Sequence, residues 1–231
     1  MEMLMFDFRE SEADFFEKRQ FTDIDITFIK EPLNSSYDLT EKQLEETDII
    51  SVFISSTLTA EVLKKFKNLR IIATRSTGYN HIDINYCIEN NIAVYNVAHY
   101  GQTSVAQYSI AMILTLVRNL LPAYLDMQRN EVHHAKYEGH NLNNMTIGVV
   151  GGGSIGGTVS KIAKFLGMKV LVSSYAKSED IELFAEYVSM DRLLEESDVI
   201  TLHVPSTPES YHMLGEKEFQ KMKNGVYIVN T

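Results

Sequence analysis

The chain has 231 residues, a formal net charge of −10 and a pI near 5.2, with 45% hydrophobic and 23% charged residues. That length suits one large domain or two small ones with a real core, and four prolines with no low-complexity tract exclude a disordered or collagen-like chain. The acidic balance argues against a non-specific grip on nucleic-acid phosphates or anionic lipid and suits a cytosolic enzyme.

Residues 1–10 carry Glu2, Asp7 and Glu10, so they lack the basic start and long apolar block of a secretory signal. From there to residue 97, β-rich runs at 3–8, 24–29, 49–54, 69–74 and 92–97 alternate with helix-like segments. The helix starts are read from hydroxyl caps: Ser11 with Asp14 three residues on, Thr40 with Gln43, and Thr59 opening 60–66. A fourth helix, 83–89, ends at Asn90 and Asn91, residues that tolerate the left-handed conformation. Alternation of this kind predicts parallel strands joined by helical crossovers, an α/β sheet covered on both faces.

A long helix is expected over 104–121, stopping near Pro122. Its apolar residues nearly encircle it, which predicts burial between domains or subunits. The uncharged stretch 100–117 contains six polar residues and falls short of the ~20 mostly apolar residues of a membrane span. Cys87, the only cysteine, excludes a disulfide framework, fits a reducing compartment and reads as a small apolar helix residue. His133, His134 and His140 read as exposed loop residues with no full metal-ligand set.

The second alternating block opens with strand Thr146–Val150, a glycine turn, a helix over 155–166 stopped by Gly167, and strand Lys169–Ser173. Further strands are expected at 199–203 and 225–229, with helices at 191–196 and 215–222. Thr231 follows directly on a buried-type strand, and a truncated product is expected on that ground.

Gly151-Gly152-Gly153-Ser154-Ile155-Gly156 fits G-x-G-x-x-G between a strand and a helix. In that context Gly151 permits the tight turn, Gly153 lets backbone approach a pyrophosphate, and Gly156 lets helix and sheet pack closely. Ser154 and Ile155 open the helix whose N–H groups meet the phosphates. The competing reading is a glycine-rich turn that binds nothing. An Asp or Glu normally stands ~20 residues on to hold the ribose hydroxyls of NAD. Here Ser174 stands 18 positions past Gly156. Without that negative charge, Ser173, Ser174 and Lys177 suit a ribose phosphate and hence NADP. Equally, Ser174 merely tolerates NAD and Lys177 is a solvated charge. Both readings stay open.

Together with the glycine motif, three further blocks carry a resemblance that covers nearly the whole chain. They are Arg75-Ser-Thr-Gly-Tyr-Asn-His-Ile-Asp83, Asn96-Val-Ala-His-Tyr-Gly-Gln-Thr-Ser-Val-Ala106 and Leu202-His-Val-Pro-Ser-Thr-Pro-Glu209. In order and spacing the sequence resembles the D-isomer-specific 2-hydroxyacid dehydrogenases, most closely their D-lactate dehydrogenase branch. The resemblance implies a flavodoxin-like substrate domain over residues 1–97, lacking its C-terminal return segment, and an incomplete Rossmann NAD(P)-binding domain over 98–231.

It also implies that backbone N–H groups near Gly78 and Tyr79 hold a substrate carboxylate, and that Tyr100 lines the substrate pocket. For Tyr79 ordinary packing competes, for His81 a surface turn is preferred, and Tyr100 reads equally as a hinge aromatic. Thr103 and Val105 are expected beside the nicotinamide, Val204 and Pro205 at the adenosine half, and Thr231 near the nicotinamide ribose. For His203 a strand-end histidine satisfied locally is the preferred reading.

The family's chemistry uses an Arg about two positions beyond the point matching Thr231, then a Glu and a His, none of which is among these residues. No catalytic residue is therefore assigned, and the 231-residue chain is expected not to turn over. The parent activity implied is reversible reduction of a small, pyruvate-like 2-oxo acid to the D-2-hydroxy acid with NAD(P)H, in a cytoplasmic homodimer. An alternative is a dinucleotide-sensing regulator without turnover. A methyltransferase with a similar glycine loop leaves the 75–83 block unexplained.

Overall fold

The computed structural model describes every residue except Gln20, His99, Val132 and His133, with Glu17, His134 and Ala135 described for backbone alone. Two compact units follow one another, Met1–Tyr100 and Gly101–Thr231. Each is built on one five-stranded sheet whose strand pairs are all parallel.

In the first unit the strands are β1 (Glu2–Met5), β2 (Asp25–Phe28), β3 (Thr47–Val52), β4 (Ile71–Thr74) and β5 (Ala93–Tyr95). Their spatial order, β2-β1-β3-β4-β5, is the flavodoxin-like one. The crossovers carry helices α1 (Ala13–Glu17), α2 (Glu41–Glu46), α3 (Ala60–Leu63) and α4 (Ile84–Glu89). Strand residues Leu4, Ile50, Val52 and Ile72, with Phe6 just past β1, share a core with Val62, Leu63 and Cys87 from the helices.

Two of the three helix starts read from hydroxyl caps hold, and the fourth helix has a carboxylate cap. The Thr40 hydroxyl accepts the Gln43 amide at 3.2 Å while the Gln43 side chain accepts the Thr40 amide at 3.0 Å, a reciprocal cap. Thr59 caps α3 and Asp83 caps α4. Ser11 does not cap. It lies inside a 3₁₀ turn, Glu10–Glu12, whose start is held by the Glu12 carboxylate accepting the Arg9 amide at 2.9 Å.

The second unit begins with α5 (Gln102–Val117) and α6 (Leu120–Gln128), where one helix over 104–121 is expected. The break is at Asn119, which adopts φ 50 and turns the two axes by 68°. Asn tolerates this left-handed conformation, and Pro122 then sits in the first turn of α6, where its missing N–H has no intrahelical partner to lose. Pro122 therefore helps to start a helix rather than stop one. Ala106, Ser109, Ile110, Ile113 and Val117 form one buried stripe, while Tyr108 stays 64% and Leu116 40% exposed. Among the described residues no single helix is long and apolar enough to cross a membrane.

Strands β6 (Thr146–Val150), β7 (Lys169–Ser173), β8 (Glu186–Tyr187), β9 (Val199–Leu202) and β10 (Tyr227–Asn230) take the order β10-β9-β6-β7-β8. This is the nucleotide-binding order, in which the chain reverses direction across the sheet beside β6. Between them run α7 (Ser154–Phe165), α8 (Glu179–Glu182), α9 (Met190–Glu196) and α10 (Glu216–Lys221). One face of the sheet, with Ile147, Val149, Val170 and Val172, packs under Ile113 of α5 and Val159 of α7. The opposite face, with Val150 and Ile200, packs on Leu193 and Leu194 of α9. A two-residue alternation along β6 thus feeds two cores.

Candidate functional site

The carboxyl end of β6 runs straight into the glycine turn. Gly151 has φ +99, and a Cβ there would strike the His203 carbonyl. Gly156 faces the Gly151 carbonyl oxygen so closely that a Cβ would collide with it, so both positions are closed to side chains. Gly153 differs. It precedes α7 with extended backbone, φ −72 and ψ −170, and a Cβ there meets nothing within 4 Å.

No side chain caps α7. Its first intrahelical bond runs from the Gly157 amide to the Gly153 carbonyl at 2.8 Å, leaving the Ser154, Ile155 and Gly156 amides without an intrahelical acceptor. A 12-residue helix with an uncapped amino end, an open approach over Gly153 and a turn too tight for any side chain fits a pyrophosphate.

Around this turn the fold assembles the ends of three strands. Ser174, just past β7, has its Cβ and Oγ 3.1 Å from where a Gly152 Cβ would fall. The Val204 Cγ1, past β9, lies 3.0 Å from a Cβ on Gly151. Pro205 is exposed, and its carbonyl accepts the Ser210 hydroxyl at 2.6 Å, which shapes the loop after β9. A depression of about 590 Å³ beside the turn is lined by Gly152, Gly153, Ser154, Lys161 and Asp180, with Gln102 from the start of α5.

Thr103 is exposed and Val105 half-buried on the first turn of α5, the Val105 amide donating to the Gly101 carbonyl at 2.9 Å. Thr231, past β10, is tied to the same helix through its hydroxyl, 3.2 Å from that of buried Ser109. Lys177 follows Ser174 on the segment between β7 and α8. Its Nζ lies 5.7 Å from the centre of the Tyr187 ring.

Tyr187 is a residue that the linear reading misses. It sits on the two-residue strand β8, its hydroxyl accepts the Ser178 amide at 3.0 Å, and it lies 3.4 Å from a Cβ on Gly152. It thereby braces the segment between Ser174 and α8.

His203 follows β9 directly, with its Nε2 2.9 Å from the Thr201 hydroxyl, and burial pushes its pKa down to about 4. It is neutral at neutral pH. His140 is exposed, with its ring 6.5 Å from that of Tyr227. His133 and the side chain of His134 lie outside the described residues. Among the described residues no three His, Cys, Asp or Glu side chains converge as a metal would require.

In the first unit, Gly78 and Tyr79 follow β4 in an exposed turn, Tyr79 being 48% exposed. Among the described residues neither of their amides has an acceptor, and the space about Gly78 is open. Tyr100 closes the unit, 60% exposed. Behind the turn, the Arg75 guanidinium donates to the carbonyls of Phe6 and Asp7, each at 2.9 Å, and to the Ser51 hydroxyl at 2.9 Å. It also pairs with Glu12 at 3.2 Å. The motif's arginine is therefore bound into the sheet's own edge.

A parallel sheet of this order, with an open, uncapped helix end at the carboxyl edge of its central strand, defines a dinucleotide-binding α/β protein of the Rossmann type. Comparison with known proteins narrows this. Residues 110–231 match the family "D-isomer specific 2-hydroxyacid dehydrogenase, NAD binding domain". The chain is 34% identical over 222 residues to the D-lactate dehydrogenase of Escherichia coli, covering 94% of this chain and 68% of that protein. It is 36% identical over 210 residues to a 2-hydroxyacid dehydrogenase homolog of Haemophilus influenzae, covering 90% of this chain and 62% of that one. It also superposes with a TM-score of 0.91 on the crystal structure of D-lactate dehydrogenase from Aquifex aeolicus complexed with NAD and lactic acid. That match has 36% identity and spans 99% of this chain and 68% of the other.

The chain belongs to the D-isomer specific 2-hydroxyacid dehydrogenases, and residues 110–231 are their NAD-binding domain. It spans 62 to 68% of the length of these relatives.

Proposed function

We propose that the protein carries the cofactor- and carboxylate-binding part of a reductase that converts a small 2-oxo acid to the D-2-hydroxy acid, with pyruvate and D-lactate as the pair that suits it best and no turnover by these 231 residues alone, since the family's Arg, Glu and His are not among them. One observation carries this reading: the Gly78 and Tyr79 amides stand exposed and without an acceptor among the described residues, where the family resemblance expects a substrate carboxylate. Fixed backbone donors hold an anion without burying a full positive charge.

When bound, NADH supplies the hydride. The Ser154, Ile155 and Gly156 amides hold its pyrophosphate, with Gly151 and Gly153 shaping the approach. Thr103, Val105 and Thr231 edge the nicotinamide half, and Ser174, Val204 and Pro205 the adenosine half. Tyr100 offers a phenol to the substrate. The exposed apolar residues of α5 and α6, among them Tyr108, Leu116, Leu120, Leu121 and Tyr124, suit a contact with a second copy of the chain. Cys87, buried and without a disulfide, is compatible with the cytoplasmic setting proposed.

The test is calorimetric titration of the protein with NADH, followed by turnover with pyruvate, glyoxylate and hydroxypyruvate and chiral analysis of the products. Micromolar binding of NADH is expected, with no turnover by the 231 residues themselves and, from a chain that also carries the family's Arg, Glu and His, exclusive formation of the D-isomer. Absence of binding at millimolar NADH, or an L-product, would overturn the proposal.

A further inference from the structure

The turn that offers the Gly78 and Tyr79 amides is held from beneath by three side chains that no part of the proposed reaction uses. The Ser76 hydroxyl donates to the Gly78 carbonyl at 2.6 Å. The Thr74 Oγ1 lies 2.6 Å from the Ser76 Oγ, and the His81 Nε2 lies 3.2 Å from the Thr74 Oγ1. Thr74 and Ser76 are 2% and 3% exposed, so water does not compete for these bonds.

Proton counting gives the chain a single direction. A carbonyl only accepts, so the one hydroxyl proton of Ser76 goes to the Gly78 oxygen. Toward Thr74, Ser76 can then only accept, so the Thr74 proton goes to Ser76. Toward His81, Thr74 in turn can only accept, so the His81 Nε2 carries a proton. Partial burial holds the His81 pKa below the ordinary histidine value, opposed by the Asp7 carboxylate, but either protonation state keeps a proton available for Nε2. The backbone of His81 is pinned as well: its carbonyl accepts the Leu58 amide at 2.7 Å, and Leu58 is fully buried.

The far end of this chain sets the turn. In a trans peptide the carbonyl of one residue and the N–H of the next point to opposite sides. With the Gly78 carbonyl drawn inward by Ser76, the Tyr79 N–H is turned outward. We propose that His81, Thr74 and Ser76 form a one-way hydrogen-bond relay that positions the Tyr79 amide to bind the substrate carboxylate. These are positioning residues, and the inference rests on the carboxylate reading given above.

The relay is tested by binding of oxamate, a non-reacting 2-oxo acid mimic, to the NADH-loaded protein, read both by calorimetry and by the ¹⁵N–H shift of Tyr79. Ser76→Ala and Thr74→Val are expected to weaken oxamate about tenfold each, the effect of losing one hydrogen bond from a preorganised site. Their NADH affinity should not change. His81→Phe should weaken oxamate similarly, and His81→Gln, whose Nε2 still donates, should restore it to within about twofold. Melting curves identify any variant that has lost its fold, and Thr74→Ser, which keeps the hydroxyl, then serves in its place and is expected to bind as the wild type does. If the wild-type protein shifts Tyr79 with oxamate and Ser76→Ala does so with equal affinity, the relay is refuted while the carboxylate reading survives. If the wild-type protein binds NADH but no oxamate, the carboxylate reading falls and the relay's role falls with it.

Discussion

The Gly156 Cα lies beneath the Gly151 carbonyl oxygen at a separation that admits no side chain, whereas Gly153, three residues earlier, faces open space. Two alanine substitutions in one motif should therefore behave differently. Gly156→Ala is expected to destabilise the fold by about 1–3 kcal/mol through overpacking. Gly153→Ala should leave the thermal midpoint unchanged and weaken NADH about tenfold by occupying the phosphate approach. Melting curves and calorimetry on the two variants separate these effects. Equal midpoints would contradict the steric account.

The adenosine end has Ser174 where a carboxylate is usual, with Lys177 directed toward the Tyr187 ring. Ser174→Asp is expected to raise the preference for NADH over NADPH about tenfold, since a carboxylate accepts ribose hydroxyls and repels a 2′-phosphate. Paired titrations with the two cofactors measure the ratio. An unchanged ratio would mean that Ser174 does not face the ribose.

His203 is buried as the neutral imidazole, its pKa drawn down to about 4 from an ordinary 6.5. Below about pH 6.5 the unfolded chain takes up a proton that the folded chain refuses. The stability that His203 contributes is therefore full above that pH, is lost as pH falls toward 4, and changes no further below it. His203→Gln, which can still reach Thr201, should flatten this loss. Thermal midpoints of both proteins at pH 7, 5.5 and 4.5 check it, and parallel pH curves would refute it.

Arg75 serves two backbone carbonyls, one hydroxyl and one carboxylate from different elements of the first unit. Arg75→Met keeps the stem and removes every donor. A loss of about 2–3 kcal/mol in denaturant unfolding is expected, because the Phe6 and Asp7 carbonyls lose a charged partner. Glu12→Gln should cost less than 1 kcal/mol, since that pair is partly open to solvent.

What could be read along the chain was whatever depends on near neighbours. The Thr40 and Gln43 cap needs only residues three apart, and strands Thr146–Val150 and Lys169–Ser173 announce themselves by β-branched runs between turn residues. The glycine motif was legible for the same reason. What was not legible depends on distant partners or very short elements. Two residues of β8 are too few for any alternation, so Tyr187 could not be seen bracing the turn at Gly152. Asn119 breaks a helix whose apolar pattern continues unchanged across it. Thr74, Ser76 and His81 stand within eight positions of the chain, but their spacing alone does not show that the Thr74 hydroxyl meets both of the others or that the distant Leu58 amide holds the His81 carbonyl.

The position of β6 also bears on how the second unit is made. Ile147 has Val170 beside it on β7 and Val199 beside it on β9, so one edge of this strand is covered early in synthesis and the other only much later. Until β9 emerges from the ribosome, the nascent β6-α7-β7 unit carries a bare row of amides and carbonyls along its inner edge, a template for pairing with any extended chain nearby. Non-local parallel pairing of this kind folds slowly, and the interval is one in which a chaperone that shields strand edges would raise the yield of native protein.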